Sequence, residues 1–133
     1  RRIYAVGMGK GGEMAATYAM LRADRVAAFA AFAPLTPSAE WICPGPPPPG
    51  LVVYRACDKI APCEEVESWL LARDGQRAVT RRMRLGDALA EEPSCAVRNK
   101  CTPKKAEANH HRWPKGKEKD VLGFLGGTVL KVP

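Results

Sequence analysis

Apolar residues occur along the chain in short runs, separated by segments whose composition favours helices. Ile3 to Val6 is apolar and stops at a glycine, which predicts a short strand. The next segment, Gly12 to Ala23, is rich in alanine, methionine and leucine and predicts a helix. Its larger apolar residues are spaced by four and three positions and share one face: Met14, Tyr18 and Leu21. Val26 to Ala33 is a continuous apolar run before Pro34, which is typical of a strand buried on both faces.

The same alternation continues after residue 50. Leu51 to Tyr54 is apolar and predicts a further buried strand. Pro62 predicts the first turn of a helix, because its fixed φ suits that position and two glutamates follow it. We expect this helix to run to Arg73 and to stop at Asp74-Gly75.

Three further elements are weaker. Ala78 to Leu85 alternates loosely and is rich in arginine, which predicts an exposed edge strand. Lys105 to Ala108 is expected to be a short strand, and Asp120 to Leu125 a last helix ended by two glycines. The proline-rich segment 34–50 predicts a flexible loop, and the basic segment 86–104 has no regular period.

Strands and helices in this order, joined by short links, predict an α/β fold with a parallel sheet and flanking helices. The length of 133 residues suits a single domain over 1–133. A hydrophobic fraction of 46% and a charged fraction of 26% are ordinary for a soluble domain. The longest apolar run, Val26 to Pro34, is far shorter than the roughly 20 residues of a membrane span, so no membrane contact is expected. Arg1-Arg2 leads directly into a strand rather than into a signal-peptide pattern.

The net charge of +7 arises from 21 basic and 14 acidic residues. Many of the basic residues lie between Arg98 and Lys119. No helix-turn-helix, zinc-finger or aromatic-interleaved RNA motif accompanies them. We therefore expect a solvated basic segment and no nucleic-acid partner.

Five cysteines leave at least one that is free or paired outside the chain. No C-x-x-C spacing points to zinc, and no metal is expected. Two pairs of cysteines are each six residues apart, Cys57 with Cys63 and Cys95 with Cys101. Each pair allows a local disulfide in an exported protein, and reduced thiols are the alternative.

The turn after the first strand fits two functions, and position 9 distinguishes them. Gly7, Gly9 and Gly12 have the G-x-G-x-x-G spacing of a dinucleotide-binding turn. That fold needs an acidic residue at the end of the second strand, and none precedes Pro34 there. The same turn has the form of the α/β-hydrolase nucleophile elbow, Gly-x-Ser-x-Gly, with Gly9 where the serine would stand. A hydrolase then requires an acid and a histidine later in the chain, and both Asp58 and His111 follow in that order.

Three segments resemble the polyhydroxybutyrate depolymerase and feruloyl esterase-like α/β-hydrolases. Arg1 to Pro34, with its paired Gly11-Gly12, is similar to the segment around the nucleophile elbow of that family. Leu51 to Pro62 resembles its strand followed by His-Gly-x-x-Asp-x-x-x-Pro, with Tyr54-Arg55 in place of His-Gly. The sequence His111-Arg112-Trp113-Pro114 is similar to the family's His-x-Trp-Pro around the catalytic base.

The resemblance implies the C-terminal part of an α/β-hydrolase domain that acts on a small ester or polyester substrate without a cofactor. Gly9 would occupy the nucleophile position, Asp58 would be the acid and His111 the base, since His111 rather than its neighbour has Trp-Pro at the family's offset. The backbone N–H of Lys10 would be the remaining oxyanion donor. Trp113 is expected to pack over the loop of the base, with stacking on the substrate as the alternative.

Two departures from the family change the expected activity. Gly9 has no side chain to attack an ester, so little or no esterase turnover is expected. The strands that precede the elbow in the family, with one of the two oxyanion donors, have no counterpart in the sequence. The first strand would then expose an apolar edge, which predicts a homo-oligomer or a second chain that supplies those strands.

Family resemblance and cysteine spacing together favour an exported protein. Two other functions stay open at this point. One is a nucleotide-binding module that uses the three glycines, and the other is a noncatalytic protein that binds ligands in the old ester pocket.

Overall fold

The computed structural model describes residues 3–37, 46–86, 90–96 and 101–128. Four strands and four helices follow one another in these ranges. Their bounds are β1 Tyr4–Met8, α1 Lys10–Leu21, β2 Ala28–Phe32, β3 Gly50–Arg55, α2 Cys63–Gly75, β4 Thr80–Leu85, α3 Pro103–His110 and α4 Glu118–Gly126.

The four strands form one parallel sheet in the order β1-β2-β3-β4. This arrangement confirms the α/β fold with a parallel sheet and flanking helices. Gly50 of β3 pairs with Phe29 of β2, and the Phe29 ring occupies the space that a Cβ at Gly50 would need. Because parallel strands all end at the same edge, the loops after β1, β2 and β3 meet at the carboxyl edge of the sheet.

Each face of the sheet is covered by its own helices. On one face, α1 and α2 contribute residues such as Ala16 and Leu70 to a core that contains Phe29 and Val52. On the other face, Val121 and Leu125 of α4 pack on side chains of β2, β3 and β4. All residues of β2 and β3 are buried, as their continuous apolar runs predict.

A helix replaces the strand that the sequence predicted at Lys105 to Ala108, and that prediction is wrong. The chain there forms α3, from Pro103 to His110. The hydroxyl of Thr102 accepts a hydrogen bond from the N–H of Lys105, which caps the first turn. Pro103 occupies the first helical position, where its missing N–H costs nothing. The short segment lacks the β-branched residues of a strand, and these start signals determine its conformation.

Two disulfides join distant parts of the chain, Cys57 with Cys101 and Cys63 with Cys95. The prediction of local bridges between cysteines six residues apart is therefore wrong in its pairing. Cys57 and Cys63 lie on opposite sides of the loop between β3 and α2, and each faces a different later segment. Cys43 lies outside the described residues.

Within the described ranges, β4 forms one edge of the sheet, as predicted, and β1 forms the other. Several large apolar side chains are exposed in β1, in the residue before it and in α1, and this set is called the β1 side: Ile3, Val6, Met14, Tyr18 and Leu21. Val6, for example, is 51% exposed although it lies in the middle of a strand. None of the helices described here has the length and apolar character needed to cross a membrane.

Candidate active site

The turn between β1 and α1 brings Gly9 to the carboxyl edge of the sheet. Gly9 has φ 58° and ψ −122°, a conformation that L side chains rarely adopt. Its N–H donates to the carbonyl of Phe32 at 2.8 Å, and its own carbonyl accepts from Glu13 at 3.1 Å. These bonds hold the sharp strand-to-helix turn that a nucleophile elbow requires.

Close packing accounts for the other glycines of the G-x-G-x-x-G pattern. A Cβ at Gly7 would overlap the carbonyl oxygen of Gly11, and one at Gly12 would lie 3.1 Å from the Cβ of Pro34. Both positions therefore need glycine for the contact between the turn, the helix and the neighbouring strand. The spacing has this structural cause whether or not a nucleotide binds.

Asp58 is held in the loop that leaves β3. Its side chain is 1% exposed. Oδ1 accepts hydrogen bonds from the backbone N–H groups of Ile60 and Ala61, both at 2.9 Å. The remaining carboxylate oxygen, Oδ2, points away from these amides and is free to orient a second group.

That second group is His110. Its Nδ1 lies 3.1 Å from Oδ2 of Asp58, and its side chain is 10% exposed. On the other side of the ring, a Cβ built on Gly9 would lie 3.3 Å from Nε2. The imidazole therefore bridges the carboxylate and the elbow position, which is the arrangement of acid, base and nucleophile in a hydrolytic triad.

His111 does not occupy this place, so the expected contact between Asp58 and His111 is corrected to one with His110. His111 follows the last residue of α3 and is exposed, and its ring packs edge-on against that of His110 at 5.2 Å. In a helix, residues four apart share a face, so His110 lies on the buried side with Ala106. Recognition of α3 from its Thr102-Pro103 start would have given this assignment from the sequence.

Besides the contact between His110 and Asp58, further links among the described residues fix helix α3 against the Asp58 loop. The Cys57–Cys101 disulfide joins the residue before Asp58 to the segment before α3. The side-chain amide of Asn109 donates to the carbonyl of Cys57 at 2.9 Å. The N–H of Lys59 donates to the carbonyl of Ala106 at 3.2 Å. These links position the His110 ring at the carboxylate.

The two other predicted site residues, Lys10 and Trp113, lie at the start of α1 and against Phe32 of β2. Lys10 is the first residue of α1 and its side chain is exposed. The first N–H groups of a helix have no acceptor within it, so the Lys10 amide can serve as an oxyanion donor. Trp113 packs on Phe32 with ring centroids 4.5 Å apart, and its indole N–H donates to Glu118 at 3.0 Å. Trp113 is 40% exposed, so part of the residue is accessible to solvent.

The chemistry of this arrangement follows from the hydrogen bonds. A buried carboxylate at Nδ1 keeps the imidazole proton there, and Nε2 is then a hydrogen-bond acceptor and a base aimed at Gly9. Gly9 itself offers no nucleophile, since glycine carries no side-chain oxygen or sulfur. Among the described residues, Cys63, Glu67 and Cys95 lie close enough to share a metal ion, but the two sulfurs are joined in a disulfide and offer no thiolate.

Comparison with known proteins supports this type of fold. The crystal structure of a Bacillus cereus carboxylesterase matches with a TM-score of 0.57 and 15% sequence identity. The match covers 83% of this chain and 49% of the carboxylesterase, so the chain spans about half the length of that enzyme. The chain has an α/β fold like that of a carboxylesterase. No protein-family model and no curated protein sequence matches the chain.

Proposed function

We propose that this chain carries the ester-binding site of an esterase-like α/β-hydrolase that has lost its nucleophile. It binds carboxylic esters at the carboxyl edge of the sheet and forms no acyl-enzyme. One observation carries the proposal: Nδ1 of His110 contacts Asp58, while Nε2 faces the place of the missing Gly9 side chain. The fold shared with a carboxylesterase supports it.

The surroundings of Gly9 suit an ester without being sufficient for rapid acyl transfer. The Lys10 amide offers one hydrogen bond to a carbonyl oxygen, and the exposed part of Trp113 offers an apolar surface for the acyl or alcohol group. Loss of one oxyanion donor alone costs about 10²–10³-fold in rate in serine hydrolases. Loss of the nucleophile removes the covalent route completely.

The finer assignment to a polyhydroxybutyrate depolymerase or feruloyl esterase type rests on sequence motifs. The segment Leu51 to Pro62 supports it, because it contains the carboxylate that meets the histidine. The histidine motif departs from the family, since His110 stands one residue further from Trp113 than the family's base does. We propose aromatic esters and short hydroxyalkanoate esters as the ligands to test first.

The test is an NMR titration of the histidine ring signals with a slowly hydrolysed aromatic ester. The His110 signals should shift and saturate, and the His110→Ala variant should bind more weakly. His111→Ala is the matched control, because His111 is exposed and adjacent, and it should bind as the parent does. A fluorophosphonate should not label the parent protein. Absence of saturable shifts at His110 with every ester tried would contradict the proposal.

The nucleotide-binding alternative is tested by thermal shift with NAD, NADP and FAD. Packing alone is a sufficient cause for glycine at positions 7 and 12, so we expect no shift. A saturating shift with one of these dinucleotides would favour the alternative over the ester site.

A further inference from the structure

The space beside Gly9 is the feature from which a further activity follows. Apart from its chain neighbours, the only described atoms within 4 Å of a Cβ built on Gly9 are Nε2 and Cε1 of His110, at 3.3 and 3.7 Å. Among the described residues other than its chain neighbours, only the imidazole of His110 borders the position of this Cβ. A water molecule cannot take the Cβ position itself, which is about 1.5 Å from the Gly9 Cα, but in contact with the Cα hydrogens it can approach Nε2 to hydrogen-bond distance.

We propose that a water molecule binds between the Cα of Gly9 and Nε2 of His110, and that His110 activates it for direct hydrolysis of activated esters. This inference rests on the proposed function, because the ester must bind at the same site. It goes beyond that function by assigning slow turnover through a single displacement. The class of substrate is an aryl or enol ester, whose leaving group needs little assistance.

The step balances with water as the second reactant. The water oxygen attacks the ester carbonyl carbon, while Nε2 of His110 takes one of its protons. The electron pair of the C=O bond moves to the carbonyl oxygen, where the Lys10 amide stabilises the negative charge. Collapse of this intermediate breaks the bond to the leaving oxygen, which takes the proton from His110. The products are a carboxylic acid and a phenol or enol, and no bond to the protein forms.

Asp58 makes this role of His110 possible. Its Oδ1 is held by two backbone N–H groups, so Oδ2 keeps a fixed position at Nδ1. A fixed carboxylate keeps the neutral ring in the tautomer whose Nε2 accepts a proton, and it stabilises the imidazolium formed during the attack. A positioned general base of this kind contributes about 10²–10⁴-fold to a rate.

The experiment measures hydrolysis of p-nitrophenyl acetate and butyrate by the parent protein, by His110→Ala and by His111→Ala. We expect the parent and His111→Ala to hydrolyse the ester equally, and His110→Ala to be slower by about 10²-fold. Release of p-nitrophenol should show no burst, and pretreatment with a fluorophosphonate should leave the rate unchanged. A burst or inhibition by the fluorophosphonate would place the activity on a covalent nucleophile and overturn the proposal.

Gly9→Ala adds a second test, because its methyl group would lie 3.3 Å from Nε2 and exclude the water. A folded Gly9→Ala variant should be as slow as His110→Ala, and a variant that keeps the parent rate would overturn the proposal. A separate measurement of ester binding distinguishes the proposed ester site from the proposed water mechanism. If the ester binds but the parent is no faster than His110→Ala, the water mechanism is wrong and the ester site stands. If no ester binds, both are wrong.

Discussion

We predict that the Cys57–Cys101 disulfide is needed to hold His110 at Asp58, in addition to its contribution to the stability of the fold. It links the residue before Asp58 to the segment that starts the helix of His110. The perturbation is the double change of Cys57 and Cys101 to serine. The matched control is the double change of Cys63 and Cys95, a bridge that holds α2 rather than α3. Cys43 is changed to serine in every variant, so that no free thiol can exchange.

The expected stability losses are nearly equal. The two bridges span sequence separations of 44 and 32 residues. Closing a loop of either size removes unfolded-chain entropy worth about 4 kcal/mol, since the cost grows only with the logarithm of loop length. With a typical urea dependence of about 2 kcal/mol per molar, either loss moves the unfolding midpoint down by about 2 M.

The effects on the site should differ. Without Cys57–Cys101, α3 keeps the Asn109 and Lys59 hydrogen bonds, each worth only about 1 kcal/mol. The His110 ring then loses its fixed position at Asp58, and ester binding should fall by tenfold or more. The control variant should bind ester as the parent does. Circular dichroism in the absence of urea verifies that both variants are folded. Equal ester binding by the two folded variants would refute the role assigned to this bridge.

Three further predictions concern other parts of the molecule. Burial raises the pKa of Tyr54 above its ordinary value. Its neutral form therefore stabilises the fold below about pH 10, and this stabilisation is lost as the pH rises further. Tyr54→Phe should reduce the alkaline loss of stability that urea titrations measure. Gly7→Ala should destabilise by about 1–3 kcal/mol through overlap with the Gly11 carbonyl. A Cβ at Gly11 would have no contact within 4 Å among the described residues outside its own helical turn, so Gly11→Ala should stabilise the fold by about 0.5–1 kcal/mol. A Gly7→Ala variant as stable as the parent would contradict the packing explanation. Finally, the exposed β1 side should make the chain associate with a second copy at tens of micromolar. Val6→Lys should be monomeric by light scattering. A parent protein that is itself monomeric would contradict the prediction of association.

Much of the fold was predictable because the central strands are buried on both faces. A continuous apolar run such as Val26 to Ala33 has few alternatives to a central strand, and β2 lies inside that range. The structure of α3 was not predicted, because its signals are a capping threonine and a proline rather than an apolar face. Short segments of this kind take their conformation from end contacts, which periodicity does not detect.

The site was predictable in part. Gly9 and Asp58 follow the ends of predicted strands, so their meeting at the carboxyl edge follows from a parallel sheet. Which histidine contacts Asp58 depends on the one that the helix turns inward, and this is His110, whereas the motif offset had favoured His111. The disulfide partners lie 44 and 32 residues apart, and their pairing depends on tertiary contacts that local spacing does not contain.

The Gly9→Ser variant is the most direct test of the proposal that this site is a hydrolase site without its nucleophile. A serine at this position carries its side chain toward Nε2 of His110, which Asp58 already orients. We predict that Gly9→Ser is labelled by a fluorophosphonate and hydrolyses p-nitrophenyl butyrate with a burst. Labelling should be lost in Gly9→Ser with His110→Ala and kept in Gly9→Ser with His111→Ala. A folded Gly9→Ser variant that no fluorophosphonate labels, or whose labelling is independent of His110, would contradict the account.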